Sequence, residues 1–429
     1  MMKNATNTKR RILIVSDVAV TLSGVATALG NTERILSKWG HEVLYVTPTT
    51  LDLWTIPLIG VDNGFKLAFP YPHSSKIERV IDEFNPDCVH VSTEASLGKF
   101  VRTLCLKKGW RFSTAFHTMS AEFLECTIGI PAWVSWEQLR QFHSESASVM
   151  APTQSVRGIL QEKGWDHGTL KHWSRGVNAE LFYPREKDPV KFPKQNGPIL
   201  MYVGRVSVEK GIEEFLKLPI QKGTKYVVGD GMQRQYLEKK FPSVIFLGYI
   251  KGDDLATAYS NADVIVFPSK TDTFGNTITE ALACGTPVAA FPAPGPLDTI
   301  GNKKEVGSVN EDLAQAIEDA LTHGDSEICA KYVRENYTWE IATQQFLDNL
   351  VFRHNPKGHA LEGVHKKTDG DVECLAQESE SMLLVSSIMS LGAVIFEGLL
   401  LITYVFLRCL RLVPSYTLKL LFRNLQRDE

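Results

Sequence analysis

The chain has 429 residues, with 46 Lys and Arg against 49 Asp and Glu, 44% hydrophobic and 22% charged residues, 20 Pro and 31 Gly. That composition excludes a collagen-like, mucin-like or globally disordered polymer and supplies enough apolar material for two cores. A net charge of −3 leaves no global basic footprint for nucleic acid, and seven cysteines without metal-ligand spacing argue for a reducing compartment and against a disulfide framework.

Met1 to Arg11 is polar and runs directly into Ile12-Leu13-Ile14-Val15, which is too short for a secretion signal and reads as a strand. A loop from Asp17 to Gly24, a helix over 25–39 ended by Gly40 and a strand at 43–46 complete a βαβ opening. Further strands are predicted at 88–91 and 112–116. Parallel strands present ligands at their carboxyl ends, so Asp17, Glu94 and His117 are expected to converge. Pro184, Pro189, Pro193 and Pro198, set among charges, mark a linker. A second α/β unit begins with the strand 199–203 and continues with strands at 226–228, 244–247, 264–267 and 288–291. Residues 337–351 read as a terminal helix, and 354–370 as a polar tether.

The predicted organisation is two Rossmann-like α/β domains facing a central cleft, over 1–183 and 199–335, joined by the linker 184–198. A helix at 336–352 crosses back toward the first domain, a polar tether spans 353–381, and a hydrophobic and basic tail fills 382–429. Met382 to Leu407 is nearly all apolar and long enough to span a bilayer. Glu397, its single ionisable residue, costs about 2.5 to 3.5 kcal/mol near the middle of a span, and Gly392 and Gly398 permit bending. Asp371, Glu373, Glu378 and Glu380 precede it, whereas Arg408, Arg411, Lys419, Arg423 and Arg427 follow, a bias toward a cytoplasmic C-terminus. With both main domains also cytoplasmic, a re-entrant or in-plane helix followed by the amphipathic stretch 410–425 reconciles the two ends; a buried C-terminal helix is the alternative.

Two segments carry most of the chemistry. Gly204-Arg205-Val206-Ser207-Val208-Glu209-Lys210-Gly211 follows a strand and places a fork-like and a compact cation within reach of one anion, although a plain surface-charge role fits each residue taken alone. Asp272-Thr273-Phe274-Gly275-Asn276-Thr277-Ile278-Thr279-Glu280 follows another strand, and its glycine turn and helix-start amides can meet phosphate or sugar oxygens.

Together with Arg175-Gly176-Val177-Asn178 and the residues after it, these segments resemble the retaining family-4 glycosyltransferases of GT-B architecture, more narrowly their bacterial and plant lipid-glycosyltransferase relatives, over about Arg11 to Leu350. The resemblance implies a nucleotide-sugar site between the domains. Arg205 and Lys210 match the family's diphosphate-binding pair, and Glu280 matches the acidic residue on the donor ribose. Asp272 stands where the family commonly has Glu, with a shorter carboxylate arm toward the sugar, and Phe274, Gly275 and Asn276 resemble the loop that offers backbone groups to sugar or diphosphate. Ser23-Gly24-Val25 resembles the glycine-rich donor loop without its Gly-Gly pair, which leaves Gly24 as the donor-loop residue; a bland tight turn is the alternative. Residues 89–98 resemble a segment of the lipid transferases, with Ala95 and Ser96 replacing Gly and Pro, so Glu94 either orients cleft residues or makes a local structural contact.

Phe116-His117-Thr118 resembles the active-site histidine segment, placing His117 near the transferring sugar rather than in a purely structural role. There it can donate to a sugar hydroxyl or stabilise developing charge, and its near-neutral intrinsic pKa makes its protonation conditional. Gly248 and Tyr249 match a region near the donor base. Arg205, Lys210, Asp272 and His117 form the expected catalytic group, with no cofactor and no essential metal implied. The expected activity is retaining transfer of a hexose-like sugar from a nucleotide sugar, a UDP-sugar foremost, to a lipid such as diacylglycerol at a cytoplasmic membrane surface. UDP-glucose, UDP-galactose, UDP-sulfoquinovose and GDP-mannose stay unresolved, as does the oligomeric state. A soluble or polymeric acceptor is the nearest rival, and a noncatalytic sugar-binding protein is the rival of a different class.

Overall fold

The computed structural model describes residues 8–18, 23–57, 66–128, 131–195, 197–219 and 223–354. The first half runs β1 (Arg11–Val15), α1 (Gly24–Lys38), β2 (Glu42–Val46), β3 (Thr55–Pro57), β4 (Lys66–Ala68), α2 (Ser74–Phe84), β5 (Cys88–Val91), α3 (Ser96–Lys107), β6 (Ser113–Ala115), α4 (Ser120–Ile128), α5 (Ala132–His143), β7 (Ser148–Ala151), α6 (Gln154–Glu162) and β8 (Leu170–His172). The second runs β9 (Ile199–Val203), α7 (Ile212–Lys217), β10 (Thr224–Val228), α8 (Arg234–Lys240), β11 (Ile245–Gly248), α9 (Gly252–Asn261), β12 (Val264–Phe267), α10 (Asn276–Ala283), β13 (Val288–Ala290), α11 (Pro294–Thr299), β14 (Gly307–Val309), α12 (Leu313–His323), α13 (Ser326–Asn336) and α14 (Trp339–Asn349).

Two parallel six-stranded sheets result, ordered β2-β1-β5-β6-β7-β8 and β11-β10-β9-β12-β13-β14. Helices cover both faces, so the interior strands are mostly buried and mostly apolar, with His90, Ser113 and Thr114 as buried polar residues on β5 and β6. In β1 the alternating side chains divide between two cores: Leu13 and Val15 join Ile77 and Val101, while Ile12 and Ile14 join Leu29 and Leu36. Strand order reverses between β1 and β5 in the first sheet and between β9 and β12 in the second. The loops after those four strands therefore flank the switch-point crevices, where open α/β sheets bind ligands.

Local chemistry sets the boundaries. Ser23 Oγ accepts from Ala26 N at 3.1 Å and starts α1, and Gly40, at φ +90°, adopts the left-handed conformation that ends it. The expected linker is not a free connector. Phe192 is 2% exposed and belongs to the core around Tyr226 and Tyr259, the Asp188 amide donates to Asn261 Oδ1 at 2.6 Å, and Lys187 and Lys194 both pair with Asp263. Those lysines are half exposed, so each pair is worth about 0–1 kcal/mol, whereas burying a Phe side chain is worth about 1.5–3. The phenylalanine holds this strap to the second domain.

The terminal helix begins two residues later than its periodicity suggests, because the Thr338 hydroxyl accepts from Ile341 N at 3.2 Å and caps it. It packs on the first domain: Phe346 is buried among Ile12, Ile14 and Trp173, and Trp339 against Ala28 and Ile35. The outgoing and returning segments lie side by side, Val177 N donating to Tyr337 O at 2.9 Å. Among the described residues no helix is long and apolar enough to cross a membrane, and the expected membrane tail 382–429 lies outside the described residues.

Gly176 permits that crossing. A Cβ there would lie 2.4 Å from the Trp339 nitrogen and 2.6 Å from the Thr338 carbonyl carbon, both rigid backbone. Gly176→Ala is expected to destabilise the protein by about 1–3 kcal/mol through overpacking, read as a lowered urea midpoint. An unchanged midpoint contradicts this role.

Candidate active site

A cleft of about 1000 Å³ opens where the carboxyl ends of the two sheets meet, lined by loops that follow β1, β6, β8, β9, β10, β11 and β12. Gly24, His117, Arg205, Lys210, Tyr249, Asp272, Phe274, Gly275, Asn276 and Glu280 all line it. Gly248 does not: its left-handed conformation (φ +76°) turns the chain at the end of β11, where a Cβ would press on the Arg234 guanidinium, so that Tyr249 and not Gly248 meets the cleft.

On the second-domain side, the loop after β9 makes a single turn over Val208–Lys210 and then passes through Gly211 in the left-handed region (φ +63°). A Cβ at Gly211 would lie 2.6 Å from Pro268 O, so only glycine lets this turn approach the loop after β12. That approach brings Lys210 Nζ to 2.7 and 2.9 Å from the two carboxylate oxygens of Asp272. Arg205 lies alongside, its Nη1 3.4 Å from Glu209 Oε1, while Glu209 Oε1 also accepts from Ser207 Oγ at 2.6 Å.

Gly275, at φ +84°, caps α10 without a side-chain acceptor, so the first-turn amides of the helix face the cleft with no side-chain cap. Phe274 is buried edge-on to Tyr337 and anchors this turn. Across the cleft stands the start of α1, where a Cβ on Gly24 would lie only 3.0 Å from Asn276 Nδ2. The starts of α1 and α10 thus both line the cleft. One turn into α10, Glu280 accepts from the Tyr259 hydroxyl at 2.8 Å, and burial pushes its carboxyl up to about 7.

On the first-domain side, His117 is 8% exposed and held at both ring nitrogens. Arg175 Nη2 donates to Nδ1 at 2.9 Å, and Nε2 lies 2.7 Å from Ser92 Oγ. Burial first, then Arg175, His90 and His143, hold its pKa well below the ordinary 6.5, so the ring is neutral and not conditionally charged. Asp17 and Glu94 turn elsewhere. Asp17 accepts from Leu97 N (2.6 Å), Gly98 N (3.1 Å) and Thr93 Oγ1 (2.8 Å), capping α3, and Glu94 Oε1 lies 3.3 Å from His143 Nε2.

Three contributors escape sequence reasoning: Ser92, Thr273 and the pairing of Arg175 with His117. Arg175 stands out in its motif, but nothing in the sequence links it to His117. Thr273 Oγ1 donates to the His117 carbonyl at 2.6 Å, and the Thr273 carbonyl accepts from Thr153 Oγ1 at 3.1 Å, tying the second-domain loop directly to the first domain. Nearby, Asp298 Oδ2 accepts from Ser155 N at 2.7 Å at the start of α6.

Comparisons with known proteins match these two halves separately. The model described as Glycosyltransferase Family 4 covers residues 22–181, and that described as Glycosyl transferases group 1 covers 184–339. The chain is 28% identical to a GDP-mannose-dependent alpha-mannosyltransferase of Corynebacterium glutamicum over 80% of this chain and 88% of the relative. It is 27% identical to a sulfoquinovosyl transferase of Arabidopsis thaliana over 79% and 74%, and 28% identical to an alpha-monoglucosyldiacylglycerol synthase of Streptococcus pneumoniae over 70% and 75%. Among solved structures, sucrose-phosphate synthase of Thermosynechococcus elongatus shares the fold with a TM-score of 0.65 at 20% identity, over 79% of this chain and 98% of that one. The chain is thus a nucleotide-sugar-dependent glycosyltransferase of the GT-B fold, whose first domain is family-4-like and whose second is group-1-like.

Proposed function

We propose that this enzyme is a retaining transferase that moves a hexose-like residue from a nucleotide sugar, a UDP-sugar foremost, to a membrane lipid of the diacylglycerol type. The observation that carries the donor half is the meeting of Arg205, Lys210, both helix starts and Glu280 in one cleft with His117 opposite. Arg205, Lys210 and the amides of Gly275 and Asn276 neutralise the diphosphate, most strongly as it leaves. Asp272 and Glu280 accept hydroxyls of the sugar and the ribose, Tyr249 lies against the base, and Gly24 leaves room for the phosphates. His117 stands beside the transferring sugar with both ring nitrogens engaged, by Arg175 and Ser92. Retention follows the family's same-face attack by the acceptor hydroxyl.

Two observations support the lipid half: the streptococcal relative is named for a diacylglycerol product, and the apolar stretch 382–407 with its basic successor suits a cytoplasmic-facing membrane anchor. The mannosyltransferase relatives make GDP-mannose the donor to test beside UDP-sugars. Membrane-bound full-length protein is incubated with UDP-glucose, UDP-galactose, UDP-sulfoquinovose or GDP-mannose and total lipid extract, and products are read by mass spectrometry. A donor-dependent glycolipid is expected; donor consumption without a lipid mass shift contradicts the lipid reading and points to a soluble or polymeric acceptor.

Lys210→Ala removes one charge-assisted contact to phosphate and is expected to weaken nucleotide-sugar binding about 10- to 100-fold. Its partly exposed pair with Asp272 adds little to stability, so the unfolding free energy is expected to change by no more than about 1 kcal/mol. Wild-type affinity in a folded variant contradicts the assignment.

Glu280 makes the site pH-dependent. Its carboxyl titrates near 7 in the fold against an ordinary 4.5, so its contribution to stability is complete below pH 4.5 and is lost as pH rises through 7. Relative to Glu280→Gln, the wild type is expected to lose on the order of 3 kcal/mol over that interval in pH-dependent unfolding. Ribose hydroxyls donate best to the ionised form, so nucleotide-sugar affinity rises over the same interval in the wild type and stays flat in the variant. Parallel pH profiles for the two proteins contradict this.

A further inference from the structure

Arg175 is a buried cation without a counter-ion. It is 5% exposed, and among the described residues no carboxylate pairs with it. Its Nη1 donates to the carbonyls of Trp173 at 2.9 Å and Ser174 at 3.1 Å, and its guanidinium carbon lies 4.5 Å from the Trp173 ring centroid. Burial lowers its pKa to about 9, which still leaves it charged at neutral pH. An uncompensated buried charge costs several kcal/mol, so its retention beside the cleft calls for a reason other than stability.

The reason lies in what Nη2 touches. A guanidinium has donors only, so the His117 Nδ1 that faces it at 2.9 Å has to present its lone pair. The ring proton is then on Nε2, where it donates to Ser92 Oγ at 2.7 Å. A second proton on Nδ1 would set N–H against N–H. Around the ring stand further groups that disfavour a positive charge, His90 and His143, with Trp173 edge-on at 5.7 Å.

We propose that Arg175 is the positioning residue of the transfer site, fixing His117 as the neutral Nε2–H tautomer, a hydrogen-bond donor that cannot act as the base for the acceptor hydroxyl. The guanidinium is itself held by the interdomain crossing. Ser174 donates through N (2.8 Å) and Oγ (2.9 Å) to Gln345 Oε1 on α14, and Gly176 abuts Trp339. The terminal helix therefore holds the segment that aims Arg175 at the His117 ring. The catalytic consequence rests on the glycosyl-transfer reading; the tautomer does not.

The test uses full-length protein carrying ¹⁵N-labelled histidine, with His117→Gln to assign the signal. In long-range ¹H–¹⁵N spectra from pH 5.5 to 8, wild-type His117 is expected to show a protonated Nε2 and a bare Nδ1 throughout. Arg175→Met is expected to lose that single tautomer and to move the ring's titration to higher pH. In the same variant, turnover of the donor that the lipid assay identifies falls about ten-fold while its KM stays within about two-fold, the split expected when only transition-state positioning is lost. Arg175→Lys keeps a charged donor and is expected to recover part of both effects, and it replaces Arg175→Met if that variant does not fold. A protonated Nδ1 in the wild type, or an Arg175→Met spectrum identical to wild type, overturns the proposal. The expected spectra without any turnover overturn only the glycosyl-transfer reading.

Discussion

The approach of the loop after β12 to the first domain is the constraint on which the site depends. Through its side chain Thr273 holds the His117 carbonyl, and through its own carbonyl it receives Thr153. The same loop delivers Asp272 to Lys210 and starts α10 opposite Gly24. Each of these hydrogen bonds is worth about 1 kcal/mol net, and Phe274 packed edge-on to Tyr337 anchors the same loop. Such an arrangement can open and close at small cost, as a transferase that must admit a donor and release a nucleotide requires.

Charge is divided between the domains in a way that matches the chemistry. Cations and free amides on the second domain gather where a diphosphate would sit, whereas the first domain offers a neutral imidazole backed by a buried guanidinium. Glu280 stands apart because burial holds it near its titration point, so binding a hydroxyl-rich ligand gains most when it ionises. In the second domain the strand order places these residues, since Arg205, Lys210 and Glu280 follow β9 and β12 at the switch point, whereas His117 and Arg175 follow β6 and the edge strand β8 of the first sheet.

How much of this can be read from the sequence depends on whether the information is local. The strands 88–91, 199–203 and 264–267 are legible to the residue because each is a short, largely apolar run bounded by polar turns. The helix that starts at Asn276 is legible from the glycine before it. By contrast, the segment 184–198 has the proline and charge content of a loose linker, and only the burial of Phe192 in a distant core makes it a strap. Asp17 and Glu94 sit at the expected loop positions but point at α3 and His143, since loop placement does not determine side-chain direction. The contact of Arg175 with His117 spans 58 positions and that of Thr273 with His117 spans 156, so neither leaves a local signature.

The central claim is that one nucleotide site is built by both domains, where a Cβ on Gly24 would lie 3.0 Å from Asn276 Nδ2. Calorimetric titration of UDP and GDP into full-length wild type and Gly24→Val tests it most directly, because the added side chain enters the cleft from the first domain and presses only on the Asn276 amide, leaving Arg205, Lys210 and Glu280 unaltered. The account predicts at least about ten-fold weaker binding of the preferred nucleotide with an unchanged unfolding midpoint. Wild-type affinity in the variant would mean that the second domain binds the nucleotide alone.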